Sequence, residues 1–207
     1  MNHRPIATLR LARVDDGPGV AAVYAPYCDT TAVSFETSAP SPVEMARRIT
    51  VFGAERPWLV LEEGDDDRRV VLGYAYATPH NERAAYRWSV NTAVYVSTAH
   101  RRRGVGRALY TTLFEALRHL GYVKATAGIT LPNPASVGLH EAFGFTPMGV
   151  YRDIGFKFGG WHDVAWYQAQ IQPTAPNPAP PRPMSALTGA AWDDAVAGGL
   201  AHYVNHP

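Results

Sequence analysis

The segment Arg101-x-x-Gly104-x-Gly106 constrains this chain more than any other. It follows Trp88 to Val96, a run rich in Val, Thr, Tyr and Trp that reads as a strand. It precedes a helical stripe in which Val105, Leu109, Thr112, Ala116 and Leu120 recur on one face, with Leu113 and Leu117 beside them. Glycines let a backbone approach an anion closely, and the first N–H groups of a helix point outward without intrahelical partners. The helix dipole favours negative charge at that end, and Arg101, Arg102, Arg103 and Arg107 add full charges. Without an anion to offset them, these arginines would oppose the dipole. The segment therefore reads as a pyrophosphate cradle, against the blander alternative of a basic helix start that serves only solubility. The Lys-[Ser/Thr] of a P-loop is absent, which argues against phosphoryl transfer from ATP. The glycine spacing and the mid-chain position also differ from the dinucleotide fingerprint.

The remaining elements supply a frame for that loop. Ile6 to Ala12 alternates apolar and polar residues, as an opening strand does. Asp15 and Asp16 suit the cap of a helix through Val20, Val23 and Tyr24. A second helix is expected over Pro42 to Ile49, with Pro at its start and Arg47 and Arg48 near its end. Trp58 to Glu62 and Val70 to Thr78 read as a strand pair, joined by a solvated turn containing Asp65, Asp66 and Asp67. Gly121 ends the Val105 helix. A strand over Lys124 to Thr130, a helix over Pro134 to Phe143 stopped by Gly144, and strands over Phe145 to Tyr151 and Trp161 to Ile171 follow. This order predicts an α/β fold around one mixed sheet flanked by helices. Composition shifts after Gln172, so residues 1–172 are expected to form the domain and 173–207 a Pro-rich C-terminal extension. A weak helix is expected near Ala190 to Ala197, in an extension that is either mobile or strapped to the surface.

Composition narrows the function classes. A formal net charge of +1 gives no global field toward nucleic acid or membrane. The arginines at 101–103 lack the wider basic face and interleaved aromatics of a nucleic-acid site. No apolar run approaches the roughly 20 residues that span a bilayer. Met1 to Arg10 lacks the apolar core of a signal peptide, so a cytoplasmic location is expected. Cys28 is the lone cysteine, which excludes an intrachain disulfide and a Cys-based zinc cluster, and no metal is expected.

Arg-x-x-Gly-x-Gly after a Val-rich strand resembles the acyl-CoA-binding motif of the GNAT superfamily of N-acyltransferases. The likeness narrows through TAVSFE at Thr31–Glu36, GYAYA at Gly73–Ala77, AYRW at Ala85–Trp88 and VYV at Val94–Val96. ITLPN at Ile129–Asn133, LHE at Leu139–Glu141, Gly144-Phe145 and GWHDV at Gly160–Val164 continue it. Together they resemble the phosphinothricin N-acetyltransferase branch over about residues 6 to 183, while the last 24 residues of the chain have no counterpart there.

The resemblance implies a GNAT fold whose splayed strand pair binds acetyl-CoA or another acyl-CoA. The backbone of Val94 and Val96 is expected to bond the pantetheine arm. Arg101, Arg102, Arg103, Gly104, Val105, Gly106 and Arg107 are expected to hold the pyrophosphate, and Asn133 to help place the cofactor. The amine then attacks the thioester directly, and holding both reactants together can supply on the order of 7–11 kcal/mol. Phe35, Arg83, Tyr86 and Arg87 are expected to form the acceptor pocket for an amino acid with an acidic side group. Packing is the alternative role for Phe35 and Tyr86, and a surface-loop charge for Arg83 and Arg87. A homodimer is also implied.

One position departs from the family. Where the branch has Trp-Thr-Val-Glu, this chain reads Trp88-Ser89-Val90-Asn91, and the amide of Asn91 cannot take the proton that the family's Glu accepts as general base. A positioned base contributes about 10²–10⁴-fold. Three explanations stay open: His140 serves as the base, the acceptor is weakly basic, or the reaction has diverged in donor or acceptor and Asn91 bonds the substrate. Glu36 and Glu82 are further carboxylates for the role, while Asn91 as a structural strand residue and His140 as core are the plainer readings. The leading function is N-acetylation of a small amino acid or amino-acid-like compound by acetyl-CoA, in resistance or biosynthesis. The others are a biosynthetic acyltransferase with a different donor, and a CoA-binding module that has lost its base.

Overall fold

The computed structural model describes residues 6–64 and 69–204. The acidic turn at Asp65, Asp66 and Asp67 lies outside the described residues.

The chain folds in the order β1 (Ala7–Leu11), α1 (Gly17–Asp29), α2 (Pro42–Gly53), β2 (Trp58–Glu63), β3 (Val70–Pro79), β4 (Ser89–Val96), α3 (Val105–Leu120), β5 (Lys124–Thr130), α4 (Pro134–Ala142), β6 (Thr146–Lys157), β7 (Gly160–Gln170) and α5 (Ala190–Leu200). The strands form one seven-stranded sheet, ordered β1-β2-β3-β4-β5-β7-β6. The pair β4–β5 is parallel and the other neighbours are antiparallel, giving the mixed sheet expected.

Helix α3 lies on one face of the sheet, and its predicted stripe is buried throughout. Helices α1 and α2 cover the other face over a second cluster that includes Val20, Met45, Trp58 and Tyr74. Ser41 caps α2 by accepting from the Glu44 N–H at 3.1 Å, and Pro42 follows at the first helical position. This helix continues to Gly53, so Arg47 and Arg48 sit within it and not near its end. Both pair with Glu44, and Arg48 also reaches Glu36 at 2.5 Å, which explains cations away from the dipole's negative end. Strand β6 runs six residues beyond the expected Tyr151, to Lys157, because pairing with β7 resumes at Gly155 after an irregularity.

The C-terminal extension is strapped down. Trp88 Nε1 donates to the Ala179 carbonyl at 2.8 Å, and the Arg182 N–H donates to the Leu120 carbonyl at 2.7 Å. The chain then returns along α3 toward its N-terminus. Leu187 and Ala195 are buried, and the Thr112 hydroxyl donates to the Ala195 carbonyl at 3.0 Å. Gly199 faces Thr112 Oγ1 and the Ala108 carbonyl so closely that any Cβ would overlap them. At the end of the strap the Val204 N–H donates to the Arg103 carbonyl at 3.0 Å.

Two substitutions test this packing. Gly104 has φ +78°, and a Cβ there would overlap the His202 carbonyl oxygen. Gly104→Ala is expected to cost about 1–2 kcal/mol for the left-handed backbone alone, read as a lowered Tm. Gly199→Leu should cost about 1–3 kcal/mol through overpacking and speed proteolysis within residues 184–204.

Candidate active site

The site begins where two central strands part. β4 and β5 pair only through Ser89, Val90 and Asn91 against Lys124, Ala125 and Thr126. Beyond that point β4 continues on β3 and β5 continues on β7, which opens a cleft between them. The cleft is lined by Thr92 to Tyr95, Gly128 to Thr130, Asn133, Ser136 and His140. This is the splayed pair that the resemblance implied.

The edge of β4 facing the cleft is partly occupied. The Tyr27 hydroxyl donates to the Val96 carbonyl at 2.6 Å and accepts from the Val96 N–H at 3.4 Å. Val94, two residues earlier, turns its peptide groups to the same side by the strand's period of two. Of the two expected pantetheine contacts, Val96 thus already has a partner in this chain. Tyr27 in turn carries the Arg101 guanidinium over its ring at 5.6 Å.

At the end of the cleft the glycine loop turns into α3. Arg102 (φ 65°) and Gly104 (φ 78°) adopt left-handed backbone, with Gly104 at the N-cap position. Left-handed residues ahead of a helix aim successive N–H groups into one concavity, which suits an anion. Val105 is buried, whereas Arg101, Arg102 and Arg107 are exposed. Gly106 faces Leu139 of α4 and Val96 of β4.

Arg103 differs from its expected role. Its guanidinium donates to the Tyr203 hydroxyl at 2.7 Å and to Glu63 Oε1 at 3.4 Å, and lies 5.3 Å from the Tyr203 ring. The Tyr203 hydroxyl also donates to Glu63 at 2.9 Å, and burial followed by this carboxylate pushes its pKa up to about 12. Arg103 therefore fastens the strap to Glu63 at the end of β2.

Asn133 caps α4 by accepting from the Ser136 N–H at 3.2 Å. His140 is buried on the same helix. Its Nδ1 donates to the Ser136 carbonyl at 2.7 Å, and Nε2 accepts from the Tyr110 hydroxyl at 2.9 Å. Burial lowers its pKa and keeps the ring neutral. Both ring nitrogens are thus engaged.

On the face covered by α1, an open pocket of about 640 Å³ meets the cleft. Phe35, Tyr24, Tyr95, Gly128, Tyr151 and Trp166 are among its walls. Phe35 packs on Gly155 of the β6–β7 hairpin, where any Cβ would overlap its ring. Glu36 borders the pocket with its carboxylate held by Arg48 at 2.5 and 3.2 Å, so it is tied as an ion pair.

Arg83, Tyr86 and Arg87 lie on the exposed connection between β3 and β4, as does Glu82. The Tyr86 ring lies 5.6 Å from that of His80, which follows the end of β3. Arg87 is turned elsewhere: its guanidinium lies 5.5 Å from the Trp88 ring, beside Pro180 and Pro181 of the strap.

Asn91 sits at the closed end of the split. Its Nδ2 donates to the Pro79 carbonyl at 3.1 Å, which turns Oδ1 toward β5. Oδ1 accepts from the Thr126 hydroxyl at 2.6 Å and lies 3.1 Å from His80 Nδ1, which is also 3.1 Å from Thr126 Oγ1. Sequence reading missed His80. Its one signal was an imidazole directly after Pro79 at the end of a predicted strand, which acquires meaning only through its neighbours. Among the described residues no group of three or more His, Cys, Asp or Glu could hold a metal ion. None of their helices is long and apolar enough to cross a membrane.

Comparison with known proteins agrees with this geometry. The model of the acetyltransferase (GNAT) family matches residues 20–145. A phosphinothricin N-acetyltransferase of Streptomyces viridochromogenes is 41% identical over 187 residues, covering 90% of this chain and 97% of that protein. An L-methionine sulfoximine/L-methionine sulfone acetyltransferase of Pseudomonas paraeruginosa is 35% identical, covering 83% and 99%. The crystal structure of a phosphinothricin acetyltransferase from Sinorhizobium meliloti in complex with AcCoA superposes with a TM-score of 0.76 at 34% identity, over 84% of this chain and 93% of that one. The split sheet, the glycine loop before α3 and these likenesses agree: the chain belongs to the GNAT family of acetyltransferases.

Proposed function

We propose that this enzyme acetylates the α-amino group of a small amino acid with an acidic or tetrahedral polar side group, of the phosphinothricin and methionine sulfoximine type. The observation that carries the reading is the split itself. It joins a glycine loop suited to the pyrophosphate of acetyl-CoA to an aromatic pocket on the α1 face.

In this reading the loop N–H groups with Arg101, Arg102 and Arg107 hold the pyrophosphate. The open edge of Val94 receives the pantetheine arm, and Asn133 fixes the start of α4 beside it. Phe35 and Tyr86 bound the acceptor, and Arg83 takes its acidic group with a two-pronged guanidinium. His140, held from behind by the Tyr110 hydroxyl, shapes the wall of the cleft. The amine attacks the thioester carbonyl, the C–N bond forms and the C–S bond breaks. The nitrogen gives up one proton before attack and a second as the adduct collapses to the amide and the CoA thiol. Acetyl-CoA supply agrees with a cytoplasmic setting, and the acceptor class with a resistance or biosynthetic role.

A homodimer belongs to the same reading. The β6–β7 hairpin exposes Met148, Tyr151, Ile154, Phe156, Phe158 and Trp161, an apolar surface at the sheet edge that a second copy would cover. Light scattering should give twice the chain mass, and Phe156→Asp should shift it toward the monomer.

The purified protein, given acetyl-CoA with phosphinothricin or methionine sulfoximine, should release thiol and form the N-acetyl product. Arg107→Glu should weaken acetyl-CoA about tenfold or more, with the acceptor KM unchanged. Silence with these acceptors and turnover of other amines would remove the acceptor assignment.

A further inference from the structure

The family's proton acceptor is missing at Asn91, yet three polar side chains converge there. We propose that His80 is the proton acceptor for the incoming ammonium group, with Asn91 and Thr126 as the positioning residues that fix its tautomer. This rests on the reading that the acceptor amine approaches the β4–β5 split from the α1 face.

The placement follows from strand alternation. Thr92 turns toward α3, where the Tyr110 hydroxyl lies 3.5 Å from its Oγ1. Asn91, Ala93 and Tyr95 therefore share the opposite face, and the Tyr95 ring meets Tyr24 and Tyr27 of α1 there. Asn91 pairs with Thr126, so Thr126, Gly128 and Thr130 share that face on β5. Tyr95, Gly128 and Thr130 line the aromatic pocket. The His80–Asn91–Thr126 cluster thus stands on the acceptor side, where the cleft closes.

The hydrogen bonds assign the proton. The Asn91 amide is oriented by the Pro79 carbonyl, which leaves Oδ1 as a pure acceptor facing His80 Nδ1 at 3.1 Å. Thr126 spends its hydroxyl hydrogen on Oδ1 at 2.6 Å, so its oxygen also accepts from Nδ1 at 3.1 Å. Two acceptors require a hydrogen on Nδ1, and the Nε2 lone pair is left as the base. No described residue bonds Nε2, and the Tyr86 ring 5.6 Å away partly shields the imidazole. The ammonium passes one proton to Nε2, directly or through a water, and the resulting amine attacks the thioester. The imidazolium then returns the proton to solvent. Asn91 stabilises that imidazolium through Nδ1–H, so the amide acts by orienting a base it cannot itself replace.

The competing base has poorer geometry. His140 uses Nδ1 on a backbone carbonyl and Nε2 on Tyr110, and it is 4% exposed.

The test is steady-state acetylation of phosphinothricin and of methionine sulfoximine by wild type, His80→Gln and His80→Ala. Melting temperature and acetyl-CoA affinity are measured alongside. Both variants are expected to keep fold and acetyl-CoA affinity while kcat/KM for the acceptor falls about 10²-fold or more. Added imidazole should restore turnover in His80→Ala, and Asn91→Glu should restore it in His80→Gln by returning a carboxylate to the family's position. Wild-type rates in either variant overturn the proposal. So does a loss that neither imidazole nor Asn91→Glu relieves, since the ring would then be structural. A wild-type protein that binds acetyl-CoA but acetylates neither amino acid overturns the acceptor reading instead, and the assignment of His80 falls with it.

Discussion

Beyond Asn91 and Thr126 the two central strands stop sharing hydrogen bonds, and each peptide edge released must find another partner or face the cleft. The other features of the site answer that requirement. The Tyr27 hydroxyl takes both peptide groups of Val96, and Asn91 and Thr126 close the end of the split with a side-chain bond. Helix α3 can start at Val105 because Arg102 and Gly104 reverse the chain through left-handed backbone. An interruption in a sheet would ordinarily be a liability. Here it leaves a cleft that opens beside the start of α3 and meets the aromatic pocket on the α1 face.

The extension contributes from outside that centre. It runs antiparallel along α3, locks through Gly199, and ends with the Val204 N–H on the carbonyl of Arg103. Arg103, read from the sequence as one more phosphate cation, closes a network with Tyr203 and Glu63. The local charge run is therefore divided: Arg101, Arg102 and Arg107 are exposed near the loop, while Arg103 fastens the strap.

Much of the frame was legible because it is local. Glycines at 104 and 106, the apolar stripe of α3, Ser41-Pro42 and the alternation of the strands each express a backbone or burial preference within a few residues. The motifs then pointed to the family, which the comparisons bear out. Expectations slipped where a distant partner decides the outcome. Helix α2 extends past its arginines because Glu36 and Glu44 neutralise them, and β6 lengthens because β7 resumes pairing.

By itself the sequence determined an α/β chain with a glycine- and arginine-rich loop at a helix start, the acetyltransferase family, and a carboxamide at position 91. Only the tertiary structure decided that His80 stands beside this amide, that His140 has both nitrogens engaged, and that Arg87 is turned to the strap. The reason is physical. Backbone preference and hydrophobic period act between neighbours, so they can be read along the chain. The polar cluster of His80, Asn91 and Thr126 is made by groups 35 and 46 positions apart in sequence that meet only across strands.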